Sequence, residues 1–411
     1  MSNDIHAIGL DIGTSKVRCV IGHAAEGVPM DVVGYGESDS RGLRRGIVTA
    51  TDAVAESVRK ALGDAERMSG LEVGSAYVNL SGEHFRGENK SGVVAVAGAG
   101  REITEDDVER AVESACAMQL PAGWEIVNSL PQEFIIDGQD GITEPVGMSG
   151  ARLESLVHIV IGPSAGRQNL TKAIKRAGLE VEKMMLEPLA AAEATLTDDD
   201  KEYGCALVNL GSEITSMMIF GRGAVQHTAV FPFGGLHFTK DIAVGLRVSI
   251  QDANQIKHRY GCVASFLLDD EERLENIEIL PVGRTETRAL SKEILCDIMQ
   301  PRAVELLQHI AHEVTRSRLQ TSSGVVLTGG GANARGMVEI AEQVFDAPTR
   351  LGRPGKDRFA GLAEQIDGSE WAVSAGLALA SARAQVRERA RGGRRSSRVA
   401  EWFENFRDKF R

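Results

Sequence analysis

The sequence predicts an α/β protein of more than one domain, built on a duplicated hairpin unit, and three observations carry that prediction. With 411 residues the chain exceeds the size at which a single hydrophobic core stops growing. An apolar strand, a tight polar turn and a second strand over residues 7–21 are matched by a related pattern over residues 206–220. A third turn, Gly329-Gly330-Gly331, follows the buried run Val325-Val326-Leu327-Thr328 and leads into a helix.

Composition narrows the class. Hydrophobic residues make up 43% and charged residues 25%, which is ordinary for a folded globular chain and excludes disorder over most of its length. The five cysteines are scattered without CxxC spacing, which speaks for a reducing compartment and against a disulfide framework or zinc site. No basic start followed by an apolar stretch marks a signal peptide, and no apolar run reaches the roughly 18 residues of a membrane span. The net charge is −12, yet from Arg383 onward basic residues outnumber acidic ones ten to four. An acidic body repels nucleic acid, whereas the basic tail should seek an anionic surface.

The elements follow in order. The first hairpin ends in the polar tip Gly13-Thr14-Ser15. Residues 83–162 have their own character: Val93 to Val96 read as strand, Thr104 is an N-cap before an acidic helix start, and a strand pair is expected around residues 124–136. After the second hairpin, helical signals dominate residues 252–261 and 292–319. Residues 385–397, rich in Arg, Gly and Ser, read as a flexible linker. Beyond it, Val399, Trp402, Phe403, Phe406 and Phe410 recur at helical spacing, flanked by Arg398, Arg407, Lys409 and Arg411. A short terminal helix of that kind suits a bilayer interface, with rings among acyl chains and cations at anionic headgroups. The competing reading is an apolar face docked on the protein itself or on a partner.

Glycine-tipped hairpins offer backbone N–H groups and hydroxyls to phosphate oxygens, and an acidic residue at a strand end can orient the waters of magnesium. Asp11, Gly13, Thr14, Ser15 and Lys16 make the first such tip. Alone, Asp-Ile-Gly-Thr is equally an ordinary turn. Combined with the second hairpin and the late glycine turn it points to a nucleotide triphosphate.

The ordered set resembles the actin, sugar-kinase and heat-shock-chaperone ATPase superfamily. Residues 11–16 are similar to its first phosphate motif, and residues 186–194, Leu-Glu-Pro-Leu-Ala-Ala-Ala-Glu-Ala, to its connecting helix. In that helix the family's Glu, here Glu187, lies near magnesium and the attacking water; otherwise Glu187-Pro188 is a plain helix start. Residues 327–333 resemble the adenosine motif, which assigns Gly329, Gly330, Gly331 and Asn333 to the nucleotide. The second phosphate motif departs from the usual pattern: Asn209, Gly211 and Ser212 stand where a carboxylate and more glycines are expected, and Glu213 is expected near the γ-phosphate, which it would repel. Binding is therefore expected to be firmer than hydrolysis is fast.

Within the superfamily the chain resembles the FtsA family of bacterial cell-division proteins, through residues 128–138 and 145–148, 234–243 and 252–261. The last of these has Asn254 where Glu is usual and keeps Lys257 as a ribose or adenine contact. The resemblance implies an actin-like ATPase fold of two lobes around a nucleotide cleft. Residues 1–82 and 163–203 would form the first lobe, 83–162 an inserted α+β subdomain, 204–235 and 319–384 the second lobe, 236–318 an upper helical subdomain, 385–397 a basic linker, and 398–411 a membrane-targeting amphipathic helix.

It implies, too, an ATP-binding protein with at most slow hydrolysis. Glu187 and Asp11 would be the catalytic groups, and magnesium would be held through ATP and waters near Asp11. The protein would polymerise head to tail at the cytoplasmic face of the cell membrane and tether the FtsZ ring there. The FtsZ C-terminal tail would bind the helical subdomain, with Arg302 a contact, and later division proteins would be recruited. Val399, Trp402, Phe403, Phe406, Arg407 and Phe410 would enter the membrane.

Two rivals remain open, a sugar or acetate kinase on the same fold and the related pilus-assembly adaptor; the former lacks an evident acceptor pocket and base, and the aromatic tail suits neither. Three weaker signals are set aside. Gly329, Gly331 and Ala334 match a dinucleotide fingerprint, but too late in the chain for a second half. Glu305, His309 and His312 share a helical face, but Val304, Leu307, Ile310 and Val314 are the buried side of that helix and leave them on its wet side, and a single Arg-Gly-Gly-Arg lacks aromatic neighbours for RNA.

Overall fold

The two hairpins head two sheets of the same topology. The computed structural model describes residues 5–25, 27–97 and 102–390. In the first sheet, Ile5–Ile12, Lys16–Ala24 and Met30–Asp39 form an antiparallel meander, and Ser75–Leu80 and Glu180–Leu186 continue it parallel to the first strand. In the second sheet Cys205–Leu210, Thr215–Gly221 and Ala224–Phe231 make the meander, and Val325–Thr328 and Thr349–Leu351 extend it in parallel. The duplication read from the sequence is thus a duplication of strand order. Every residue of Cys205–Leu210 is buried, a continuous run rather than an alternation, as expected of a strand covered on both faces.

The first sheet gains a sixth strand, Phe359–Gly361, beside Met30–Asp39, so the chain returns to the first lobe after completing the second. Between the sheets run two helices, Glu187–Thr195 and Ala372–Ala390. Their small residues let them touch: a Cβ at Gly376 would lie 1.7 Å from Ala190 O, so no larger residue fits. Ala190, Ala191, Leu207, Met218, Val326, Val373 and Leu377 form one apolar cluster that joins both lobes across this seam. The expected linker therefore begins later than residue 385. The helix carries on through Ala390, held by Gln385 Nε2, which donates to His6 O at 3.0 Å. Residues 391–411, with the amphipathic segment, lie outside the described residues.

The insertion is an α+β unit with its own core. Strands Arg86–Ala95, Arg152–Pro163, Trp124–Ile136 and Gln139–Ile142 make its sheet, and helix Glu105–Cys116 buries Val108, Ala111, Val112 and Ala115 into the same cluster as Phe134 and Ile159. Thr104 caps that helix, its hydroxyl accepting from Asp107 N. Residues 124–136 form one long strand rather than the expected pair, because a single partner, Arg152–Pro163, pairs along its whole length, and the turn comes only after Ile136, where Gln139–Ile142 folds back on its end. The insertion also reaches the second lobe. His158, 1% exposed, joins Thr228 Oγ1 at 2.9 Å, and Gln132 Nε2 donates to Val225 O at 2.8 Å.

Above the second sheet, helices Gly235–Leu246, Ile250–Tyr260 and Lys292–Ser317 form the helical subdomain. Leu295, Met299, Leu306 and Ile310 join the second lobe's core, so helix and sheet there share one interior.

Candidate functional site

Both hairpins close in the same way. Gly13 N–H donates to Lys16 O at 3.0 Å, and Gly211 N–H to Ile214 O at 3.0 Å. Asp11 and Asn209 therefore hold equivalent places, opposite Arg18 and Ser216 in their registers. Beside Asp11, the Asn79 side chain accepts Ile12 N–H at 2.7 Å, which ties the strand end to its parallel neighbour.

Three residues from three segments meet between the lobes. Glu187, the first residue of the connecting helix, accepts a hydrogen bond from Asn209 Nδ2. Both carboxylates are 8% exposed and Asn209 only 2%. Burial pushes the Asp11 carboxyl up to about 6, with Arg18 opposing. Burial pushes Glu187 further, to about 8, the nearby Asp11 charge adds to the rise, and a hydrogen bond with Ser81 opposes it. Two acids held together, with Arg18 easing only Asp11, are poised either to share a proton or to receive a hydrated cation.

The third turn closes the site on the second lobe. Gly329 has φ +84°, and a Cβ there would lie 2.4 Å from Asn209 Oδ1, so only glycine lets this turn pass beside Asn209. Gly330 and Asn333 bound the following short helical turn. Lys257 Nζ donates to Gly235 O at 3.3 Å and Thr239 Oγ1 at 3.0 Å, and burial holds its pKa down to about 8. A Cβ placed on Gly235 would lie 3.9 Å from Gly331 Cα and 4.0 Å from Lys257 Nζ, so the glycine turn, the start of helix Gly235–Leu246 and the lysine lie side by side. Adjoining glycines, a half-buried ammonium and a buried carboxylate pair fit a magnesium nucleotide by the chemistry of the donors.

Other expected site residues are engaged differently. Lys16 is paired with Glu37 and Asp39, each at 3.0 Å, on the strand beside the hairpin. Thr14 and Ser15 form the tip, where Ser15 O accepts Ser40 N–H at 2.9 Å. Gly211 O and Ser212 O accept the first N–H groups of helix Gly235–Leu246, at 2.9 and 2.8 Å. Glu213 accepts Arg45 N–H of the first lobe at 2.6 Å, so the expectation that it faces the γ-phosphate is replaced by a bridge between lobes. A side chain three residues past the strand end swings away from the closed turn.

Sequence reading missed the bracket behind the glycine turn. Ser369 Oγ donates to Gly329 O at 3.0 Å and Asn333 Oδ1 at 2.8 Å, while Asn333 Nδ2 donates to Glu370 Oε2 at 2.6 Å. The adjoining Trp371 lies under the Arg18 guanidinium at 5.5 Å. Nothing in the local pattern of residues 369–371 marks them, since their partners are distant in sequence.

Arg302, on helix Lys292–Ser317, grips Asp241 with Nε at 2.5 Å and Nη2 at 3.0 Å, and reaches Glu305 at 2.5 Å. Beside it opens a cavity of about 370 Å³ lined by Ser265, Asp297, Gln300, Pro301, Val304 and Glu305, among others.

Comparison with known proteins agrees with this geometry. The family described as cell division protein FtsA matches residues 206–376, and the SHS2 domain inserted in FTSA matches residues 82–161. The cell division protein FtsA of Pseudomonas aeruginosa is 39% identical over 374 residues, 90% of this chain and 88% of that one. Its counterpart in Neisseria meningitidis is 37% identical over 409 residues, 96% and 97% of the two chains, and that of Escherichia coli 32% over 356 residues, 84% of each. Among solved structures, a PilM-PilN type IV pilus biogenesis complex aligns with a TM-score of 0.66 at 19% identity, over 92% of this chain and 99% of that one. MreB5 of Spiroplasma citri bound to ADP aligns at 0.54 and 14% identity, over 94% and 98%. At these identities the structural likeness shows the fold, which is that of the actin-like ATPases.

Proposed function

The chain belongs to the FtsA family of cell division proteins, and from that premise we propose that it is an ATP-binding polymer subunit that holds the FtsZ ring to the cytoplasmic face of the cell membrane and helps to bring later division proteins there. The observation that carries this reading is the meeting of Asp11, Glu187 and Asn209 at the seam of two like-folded lobes, beside the glycine turn. Magnesium carried by ATP would supply positive charge beside the two buried carboxylates, Asp11 and Glu187.

In this reading Asp11 would orient the hydrated cation, and Glu187, protonated near neutral pH in the nucleotide-free protein, would accept a proton from the attacking water only after the cation's charge has drawn off its own. Asn209 donates to Glu187 but brings no charge, which keeps hydrolysis slow. Gly13, Thr14, Ser15, Gly211 and Ser212 line the phosphates; Gly329, Gly330, Gly331, Asn333 and Lys257 take the adenosine. Lys16 reaches the phosphates only by leaving Glu37 and Asp39. Occupancy fixes the angle between the lobes and favours head-to-tail contacts, with the inserted subdomain as one surface. We divide the chain as the sequence suggests, with residues 83–162 as that subdomain and 236–318 as the docking subdomain. The cavity beside Arg302 supports the latter as the seat of the FtsZ tail.

Among the described residues no helix is long and apolar enough to cross a membrane, which is consistent with attachment through the terminal segment. A single short helix binds weakly, and a polymer sums many such helices into firm attachment. Co-sedimentation with anionic liposomes tests the whole reading, with and without Mg-ATP, for the full chain, a chain ending at Ser397 and Trp402→Glu. Binding by the full chain alone, increased by Mg-ATP, is expected; equal binding by all three, or by none, would refute the tether and favour a soluble kinase.

A further inference from the structure

Four of the five cysteines are fully buried, yet they differ sharply in surroundings. Cys19 and Cys205 lie singly in the lobe cores, and burial pushes each thiol up to about 12. Cys262 and Cys296 instead come together. They form, with Leu268 alone, a small apolar cluster apart from the large cores, and each thiol lies close enough to shift the other's ionisation. The contact joins two elements: Cys262 follows helix Ile250–Tyr260, and Cys296 sits one turn into helix Lys292–Ser317. The Cys262 sulfur also meets Ala264 O at 3.3 Å. Basic groups stand nearby. Arg335, paired with Glu272, and Lys292, paired with Glu272 and Glu275, both favour the Cys262 anion. The contact with Cys296 comes first in lowering the Cys262 thiol, while Cys296 itself is raised by the same contact.

We propose that Cys262 and Cys296 are a disulfide-forming modification site in the helical subdomain, oxidised by a peroxide. The chemistry balances within the pair. The Cys262 thiolate attacks one peroxide oxygen, the O–O bond breaks, and Cys262 becomes a sulfenic acid while hydroxide leaves and takes up a proton as water. The Cys296 sulfur then attacks the Cys262 sulfur, the S–O bond breaks, and a second water leaves with the Cys296 proton. Two thiols lose two electrons and one peroxide becomes two waters. Nucleophile and resolving thiol come from neighbours in one buried cluster, so a small peroxide reaches them through local opening of the subdomain.

The bond has a consequence next door. Ser265, three residues past Cys262, donates its backbone N–H to Gln300 Oε1 of the long helix at 2.9 Å, and Ser265, Asp297 and Gln300 all line the cavity beside Arg302. A disulfide would clamp that wall to the helix and weaken binding in the cavity. This second consequence rests on the reading of the cavity as the seat of the FtsZ tail.

The test treats the full chain with hydrogen peroxide and maps thiols by peptide mass under non-reducing conditions. Half-buried Cys116 serves as the internal measure that oxidant was sufficient. A Cys262–Cys296 linked peptide, reversed by dithiothreitol and replaced in Cys296→Ser by a Cys262 sulfenic acid trapped with dimedone, is expected. Both thiols still free once Cys116 is oxidised would overturn the proposal. Titration of an FtsZ tail peptide then compares reduced and oxidised protein: a Kd weakened about tenfold on oxidation, with Cys296→Ser insensitive, supports the clamp. Unchanged affinity in the mapped disulfide form would refute the clamp alone, and no peptide binding in either form would refute the cavity reading while leaving the disulfide standing.

Discussion

The two hairpins share strand order, turn closure and burial, and differ in what surrounds the tip. The first presents a carboxylate, Asp11, and its tip is held at Ser15 O by one backbone bond from Ser40. The second presents an amide, Asn209, and its tip is pinned from above by helix Gly235–Leu246 and from across the cleft by the Glu213 contact to Arg45. The same local fold has thus become a charged side and a neutral, braced side. Neutrality at Asn209 matters because Glu187 needs a donor there: a second carboxylate would leave three acids in one buried space.

The comparison breaks most severely at Gly329. Gly329→Ala places a methyl against Asn209 Oδ1 in a left-handed backbone and is expected to cost about 2–3 kcal/mol of stability and to abolish retention of a fluorescent ATP analogue. Chemical denaturation and filter binding check both; retained binding at wild-type affinity would mean the turn does not line the nucleotide. Making the second hairpin like the first, with Asn209→Asp, removes the donor to Glu187. Loss of about 1–3 kcal/mol in the nucleotide-free protein is expected, largely recovered by Mg-ATP in thermal unfolding. Destabilisation that Mg-ATP leaves untouched would separate Asn209 from the cation.

A milder effect follows from pH. Both acids have folded pKa values raised above their ordinary ones, so the folded state holds protons that the unfolded chain has released. Their contribution to stability is full below about pH 4 and is lost as pH rises through about 6 for Asp11 and about 8 for Glu187. The melting temperature of the nucleotide-free protein should therefore fall between pH 6 and pH 8 more steeply than that of Glu187→Gln, in which the upper step is gone. Parallel curves would show that Glu187 ionises as an ordinary carboxylate.

Much of this molecule was legible from residue order. The hairpins, the Thr104 cap, the helix beginning at Glu187-Pro188 and the turn at Gly329 follow from periodicity and turn chemistry, which involve residues a few positions apart. The recurrence of the hairpin was legible too, whereas the order in which the later strands join each sheet was not. Tertiary structure alone decided the rest: that Lys16 pairs with Glu37 and Asp39, that Glu213 bridges to Arg45, that Ser369 and Glu370 brace the glycine turn, and that Cys262 meets Cys296. These contacts join side chains brought together by packing of separate elements, and a side chain's partner, charge and desolvation depend on that packing rather than on its neighbours in sequence.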